Sequence, residues 1–144
     1  MRFWARRRWL LLAALLLLCS ILAGCGGGEA PGVKAQVLVD GAAWTGDAMA
    51  PNASDGLRVY VTLDGKSLID LPFEEAHSVS VIQPDGEENH IRLTGDAVYM
   101  ESANCENQDC VNMGAVTREN LELRVLGGFI VCLPHRVSVE VRGE

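Results

Sequence analysis

Arg58-Val-Tyr-Val-Thr-Leu-Asp-Gly-Lys-Ser-Leu-Ile-Asp-Leu71 reads as two strands and the turn that joins them. Val59, Val61 and Leu63 alternate with Arg58, Tyr60 and Thr62, the period of a strand with one face turned to a core. Asp64-Gly65 supplies two residues that tolerate positive φ, which is the strongest short-range hairpin signal. Ser67-Leu-Ile-Asp-Leu71 returns as the partner strand, and Pro72, which has no N–H to give a ladder, stops it.

The same pattern continues toward the C-terminus. Ser78–Ile82 is a strand closed by the turn Pro84-Asp85-Gly86, His90–Thr94 pairs back, Gly95-Asp96 turns, and Ala97–Met100 extends the meander. Leu121–Leu126, Phe129–Cys132 and Val137–Val141 complete the set of expected strands. Between Leu57 and Glu144 no window sustains helical periodicity beyond a turn or two, Val111–Gly114 being one such turn. Many short strands at close spacing, about seven of them, predict an all-β domain, a small barrel or a sandwich. Upstream, Val37-Leu-Val-Asp-Gly41 echoes Val61-Thr-Leu-Asp-Gly65, which hairpin chemistry explains without an internal repeat. Residues 42–56 read either as extended linker or as an extra strand followed by a long surface loop.

The N-terminus has the three parts of a secretory signal. Arg2, Arg6, Arg7 and Arg8 form a positive region, Leu10–Leu18 an apolar one, and Leu22-Ala-Gly-Cys25 resembles a bacterial lipobox. The apolar stretch is short of the ~20 residues that a spanning helix needs. This predicts a lipoprotein signal peptide at residues 1–24 and diacylglycerol on Cys25. A glycine-rich tether and loop-rich lead-in follow at residues 25–56, and the folded domain occupies residues 57–144. Acyl chains contribute ~0.8 kcal/mol per buried CH₂, so several chains anchor durably where one does not. The expected location is the extracytoplasmic face of the cell membrane. The leader carries four of the twelve basic residues and none of the nineteen acidic ones, so its removal takes the net charge from −7 to −11. That acidity excludes a basic nucleic-acid footprint. Asn52-Ala-Ser54 matches a glycosylation sequon and is read as chance in a lipobox protein.

The segment Leu57–Gly143 resembles the domain called NusG domain II, which also occurs as a stand-alone extracytoplasmic protein in Gram-positive bacteria. The resemblance rests on Asp64-Gly-Lys66, Asn89-His-Ile-Arg-Leu93, Ala103-Asn-Cys105, Gln108-Asp-Cys-Val111, Gly114-Ala-Val116 and Ile130-Val-Cys-Leu-Pro-His-Arg-Val137. It implies the small closed β-barrel of that insert domain. Transcription factor NusG works in the cytoplasm through other domains, which this chain lacks, so the resemblance implies neither transcription nor any established activity.

Three cysteines remain in the folded part: Cys105, Cys110 and Cys132. In a disulfide-permissive compartment they read as one bridge and one spare thiol. A bridge from Cys132 to Cys105 or Cys110 closes more than twenty residues and would stabilise by roughly 3 kcal/mol, whereas the short Cys105–Cys110 loop gains little. The alternative is metal, through the set Cys105, Cys110, Cys132 and His135, whose spacing suits tetrahedral zinc. Against it, Pro134 restricts the approach of His135, and the resemblance implies Asn at that place in many relatives. A Rieske cluster fails because Asn107 stands where its first pair needs histidine. Exchange by a reactive thiol is disfavoured because Glu106 and Asp109 raise the pKa of thiols beside them.

His77 and His90 read as exposed turn or edge residues without partners. Ser78, Ser80 and Ser102 lack a nucleophile-elbow context. Glu74-Glu75 and Glu87-Glu88 read as solvated surface, and Asp85, Glu87 and Glu88 lack the spacing of a calcium loop. Trp44 is expected to dock onto the domain. The sequence therefore predicts a membrane-anchored, extracytoplasmic accessory or binding module that is not an enzyme. It takes no cofactor beyond the lipid on Cys25, binds no nucleic acid and meets an envelope protein or small ligand. The alternative is a metal-binding or electron-transfer accessory using Cys105, Cys110 and Cys132.

Overall fold

The computed structural model describes residues 35–45 and 56–143. The leader, the lipidation residue Cys25, the tether and the Asn52 sequon lie outside the described residues. Among the described residues, ten strands and one helical turn follow in order: β1 Gln36–Val39, β2 Ala42–Ala43, β3 Leu57–Leu63, β4 Lys66–Pro72, β5 Ala76–Ile82, β6 Glu88–Thr94, β7 Ala97–Ala103, α1 Asp109–Asn112, β8 Val116–Thr117, β9 Phe129–Cys132 and β10 Val137–Gly143.

The β3–β4 hairpin forms as read. Asp64 and Gly65 both take positive φ, 50° and 73°, the geometry whose twist matches that of the flanking strands. β3 and β4 pair antiparallel through Val61↔Ile69 and Val59↔Leu71, with a register shift between Val61 and Thr62. The C-terminal strand β10 then pairs with β3 along its whole length, from Val137↔Leu63 to Gly143↔Leu57, and β9 lies on its other side. This makes a four-stranded sheet in the order β4-β3-β10-β9. The second sheet is the β5-β6-β7 meander, extended by β1 and β2 beyond β5 and by β8 beyond β7.

The fold is all-β, as expected, but the expected closed barrel of about seven strands is corrected to ten strands in two open antiparallel sheets. Closure fails for a physical reason. β2 and β8 are two residues each and β9 is four, too short to bridge from one sheet to the other. Those three edges leave little unpaired backbone for another chain to join, whereas the fourth edge, β4, is seven residues long. The sheets share one core built from alternate residues of each long strand. It contains Val59 and Val61 of β3, Ile69 and Leu71 of β4, Val79 and Val81 of β5, Ile91 and Leu93 of β6 and Val137 and Val139 of β10, with Phe73 beside them. Each fully buried side chain of this size contributes ~1.5–3 kcal/mol.

Residues 42–56 begin with the strand β2, so Asp40-Gly41 makes a second hairpin turn joining β1 to β2. Trp44 packs against the core, as expected of a docked aromatic. Leu121–Leu126, expected as a strand, is a run of turns instead. Two features divert it. Arg124 turns inward and donates hydrogen bonds to the carbonyls of Met113, Ala115 and Gly127 at 3.0–3.2 Å, holding the segment in a closed loop. Gly128 then passes so close to β10 that a Cβ there would lie 2.0 Å from the Val141 carbonyl oxygen. Leu123 and Val125 consequently face solvent rather than a core.

Candidate functional site

The cysteine loop leaves β7 at Ala103. Gln108, at φ 55°, starts the four-residue α1. Its side-chain amide donates to the carbonyls of Ala103 and Cys105 and reaches within 3.8 Å of the Cys105 sulfur. That grip folds the loop back so that Cys105 points inward. Cys110 sits in α1, and Cys132 ends β9 opposite Val137 of β10.

The three thiols meet. Cys105, Cys110 and Cys132 are all buried, and their sulfurs lie within 4.8 Å of one another. The Cys105 and Cys110 sulfurs are 3.6 Å apart, well beyond the ~2.05 Å of a disulfide bond. All three are free thiols, so the expected bridge is not formed. Burial, then the neighbouring thiols of Cys132 and Cys105, pushes the Cys110 thiol up to about 12. The direction matches the sequence reading, but the cause is different. Desolvation and fellow thiols lead the shift, rather than the carboxylates of Glu106 and Asp109.

His135 does not complete a four-ligand set. It is buried, and its Nδ1–H donates to the Asn89 side-chain oxygen at 2.9 Å. Asn89 in turn donates to the Met100 sulfur at 3.5 Å. The backbone oxygen of His135 accepts from Gln83, also buried. The imidazole thus serves a polar network that fastens the β9–β10 turn to β6.

A pocket of about 340 Å³ opens over the thiols. Cys110 and Cys132 form part of its wall, with Met113, Val131, Leu126, Leu133 and Pro134 giving it an apolar lining and Asn107 and Asp109 a polar edge. Met113 and Leu126 also line an adjoining groove of about 580 Å³ that contains Leu123, Arg124 and Val125. Among the described residues, the exposed large apolar side chains are Leu123, Val125, Leu126, Phe129 and Leu133. All five fall between positions 123 and 133, in or beside these two cavities. Sequence reasoning assigned Leu121–Leu126 to a strand and so missed this surface; the double glycine Gly127-Gly128 was the available signal of a break.

Elsewhere the expectations for isolated side chains change. His77 and His90 lie within strands and have partners. Nδ1 of His77 contacts Asp40 at 2.7 Å and Nε2 contacts Glu75 at 3.2 Å. His90 Nδ1 lies 2.9 Å from the Ser80 hydroxyl. Asp85 and Glu87 turn to Arg136, at 3.8 and 3.4 Å, so they form an ion-pair cluster rather than an open cation site. Glu74 pairs with Arg118 at 2.5 Å. Among the described residues, no helix is long and apolar enough to cross a membrane.

Residues 11–144 match the family model described as NusG domain II. No curated protein matches the chain. Among solved structures, a DUF1312 family protein of Enterococcus faecalis is 21% identical with a TM-score of 0.53, over 61% of this chain and 98% of its own. The Lin0431 protein of Listeria innocua is 23% identical with a TM-score of 0.53, over 62% and 98%. A DUF1312 family protein of Ruminococcus gnavus is 30% identical with a TM-score of 0.47, over 60% and 99%.

Proposed function

Since the chain belongs to the NusG domain II family, we propose that it is a membrane-anchored, extracytoplasmic accessory module that binds an envelope protein and is not an enzyme. Cys25 carries the lipid, and the glycine-rich tether holds the domain off the bilayer. The binding surface is the apolar rim at Leu123, Val125, Leu126, Phe129 and Leu133.

The observation that supports this reading is the concentration of exposed apolar side chains in one loop region of an acidic domain. Isolated surface leucines are ordinary, whereas a contiguous apolar surface around a cavity marks a contact site. The surrounding acidity keeps such a domain soluble and favours partners without excess negative charge. The ionisable side chains on the pocket wall are Asp109 at its polar edge and the thiols of Cys110 and Cys132, and burial keeps the Cys110 thiol protonated.

Photo-crosslinking in cells tests it. A photoreactive residue at Leu126 or Leu133 is expected to capture a discrete envelope protein, and the same residue at the exposed Ser67 of β4 is not. Equal capture at all three positions, or none at any, would refute the surface. The anchor is tested separately, because Cys25→Ala should move the chain from the membrane fraction to the soluble one.

A further inference from the structure

Cys105, Cys110 and Cys132 reach one point from three separate pieces of chain: the loop after β7, the helical turn α1 and the end of β9. A buried cysteine alone is an ordinary small apolar side chain. Three of them, the full cysteine complement of the described residues, have no packing reason to converge within 4.8 Å. Ligand sulfurs around a tetrahedral ion at ~2.3 Å stand roughly 3.8 Å apart, so a single ion fits among them with small side-chain movements. We propose that Cys105, Cys110 and Cys132 form a three-thiolate site for a soft d¹⁰ cation, zinc or monovalent copper, whose remaining coordination position faces the pocket.

The donor set decides the class of ion. Thiolates select zinc and monovalent copper, whereas magnesium, calcium and manganese require oxygen. Neither a carboxylate nor an imidazole of the described residues joins the group, and His135 is committed to Asn89. The second shell suits the purpose, because the Gln108 amide stands 3.8 Å from the Cys105 sulfur and can donate to a thiolate there. Cys110 and Cys132, though themselves buried, form part of the wall of the 340 Å³ pocket, which sets the side from which an ion enters. Binding displaces up to three thiol protons to solvent and moves no electrons. Only two of the three sulfurs face the pocket, so the ion's free position points where an outside ligand could enter. This site does not depend on the protein-binding reading above, because neither the apolar rim nor the lipid anchor contributes a ligand.

The test uses the full chain, purified in detergent under reductant and loaded with Co²⁺ as a spectroscopic stand-in for zinc. Zn²⁺ and Cu⁺ are then titrated separately against a chromophoric chelator. One ion per chain is expected, with sulfur-to-cobalt charge-transfer bands whose intensity corresponds to three thiolates. Whichever of Zn²⁺ and Cu⁺ binds tighter identifies the ion within the proposed class. Cys132→Ser and Cys105→Ser should weaken binding by more than about 100-fold, while His135→Asn leaves it unchanged. The cobalt spectrum of the unaltered chain keeps the test decisive even where a cysteine variant fails to fold. No retained ion in a reduced chain with a native circular dichroism spectrum overturns the proposal. So does cobalt bound without charge-transfer bands, or a His135→Asn loss equal to that of the cysteine variants.

Discussion

Nδ1 of His77 lies 2.7 Å from Oδ2 of Asp40, and this contact locks the β1–β2 turn onto the start of β5. The other carboxylate oxygen accepts from the Ser78 backbone N–H at 2.8 Å, and the Asp40 N–H donates to the Ser78 carbonyl. Glu75 sits on the far ring nitrogen, so both nitrogens face carboxylates and both donate when the ring is charged. One turn residue thereby secures the sheet extension that β1 and β2 provide.

The pH dependence of this contact follows from opposite shifts. Burial of the His77 ring pulls its pKa down, but Asp40 and Glu75 outweigh it, and the net result lies above the ordinary 6.5. The His77 hydrogen bond, then the Ser78 N–H, holds Asp40 below 3.8. A raised imidazole pKa stabilises fully below 6.5 and loses that contribution as pH rises through the folded-state value. A lowered carboxylate pKa stabilises above 3.8 and loses it as pH falls through its own. The pair therefore contributes most between about pH 4 and 6.5. His77→Gln should cost roughly 0.5–1 kcal/mol at pH 6 and less at pH 8.5, a size suited to a half-exposed pair. Urea unfolding at the two pH values checks this; equal losses at both would show that the ring acts only through packing.

Arg124 is expected to matter more than any exposed charge. Its guanidinium closes the loop by donating to four carbonyls, two of them on the far segment at Met113 and Ala115 and two at Gly127 and Phe129. Arg124→Met should cost about 1–3 kcal/mol, because the carbonyls lose a charged donor. Arg124→Lys should recover little, since a point charge cannot reproduce the planar fork. Hydrogen exchange across Met113–Phe129 would register the loosening, and full protection in Arg124→Met would count against this role.

Legibility in the sequence followed the range of the interaction. Hairpin turns such as Asp64-Gly65 announce themselves because two adjacent residues determine them. The alternation of Val59, Val61 and Leu63 identified the core face for the same local reason. Sheet closure was misread because it depends on which distant edges meet, and only the pairing of β10 with β3 and the shortness of β2 and β8 settle it. Leu121–Leu126 was misread because apolar content outweighed a single arginine whose partners lie up to eleven residues away. The three cysteines were visible at once. Their meeting point was not, because it needs the β9–β10 turn, the Gln108 loop and α1 together.

The thiols should resist modification while the metal-free, reduced chain is folded. Relative exposures of 5% for Cys105 and 1% each for Cys110 and Cys132 leave little sulfur for a reagent to reach. Thiolate is the reactive form, and burial keeps the Cys110 thiol protonated at neutral pH. Iodoacetamide at pH 7.5, followed by intact mass, should add no label to these three residues under native conditions and three labels in denaturant. Rapid native labelling of Cys110 or Cys132 would mean that the pocket opens to the sulfurs far more readily than the packing implies.

Gly128 offers the sharpest steric test of how the loop meets β10. The Val141 N–H donates to the Gly128 carbonyl at 2.9 Å, so the two backbones approach along a line with no space for a side chain. A Cβ at this position would lie 2.0 Å from the Val141 oxygen and 3.0 Å from the Leu121 side chain. The first contact is with backbone, which cannot swing aside as a side-chain end can. Gly128→Ala must therefore push the loop away from β10, and a cost of about 2–4 kcal/mol is expected, in the range of overpacking with a lost hydrogen bond. Gly143→Ala is the matched control, because nothing lies within 4 Å of its added carbon. Thermal unfolding of both variants decides the matter: equal midpoints for Gly128→Ala and Gly143→Ala would mean that the loop is not seated on β10. The same displacement would carry Leu126 and Arg124 with it, so the Gly128→Ala protein should also lose capture at Leu126 while keeping the β5–β6–β7 sheet protected from exchange.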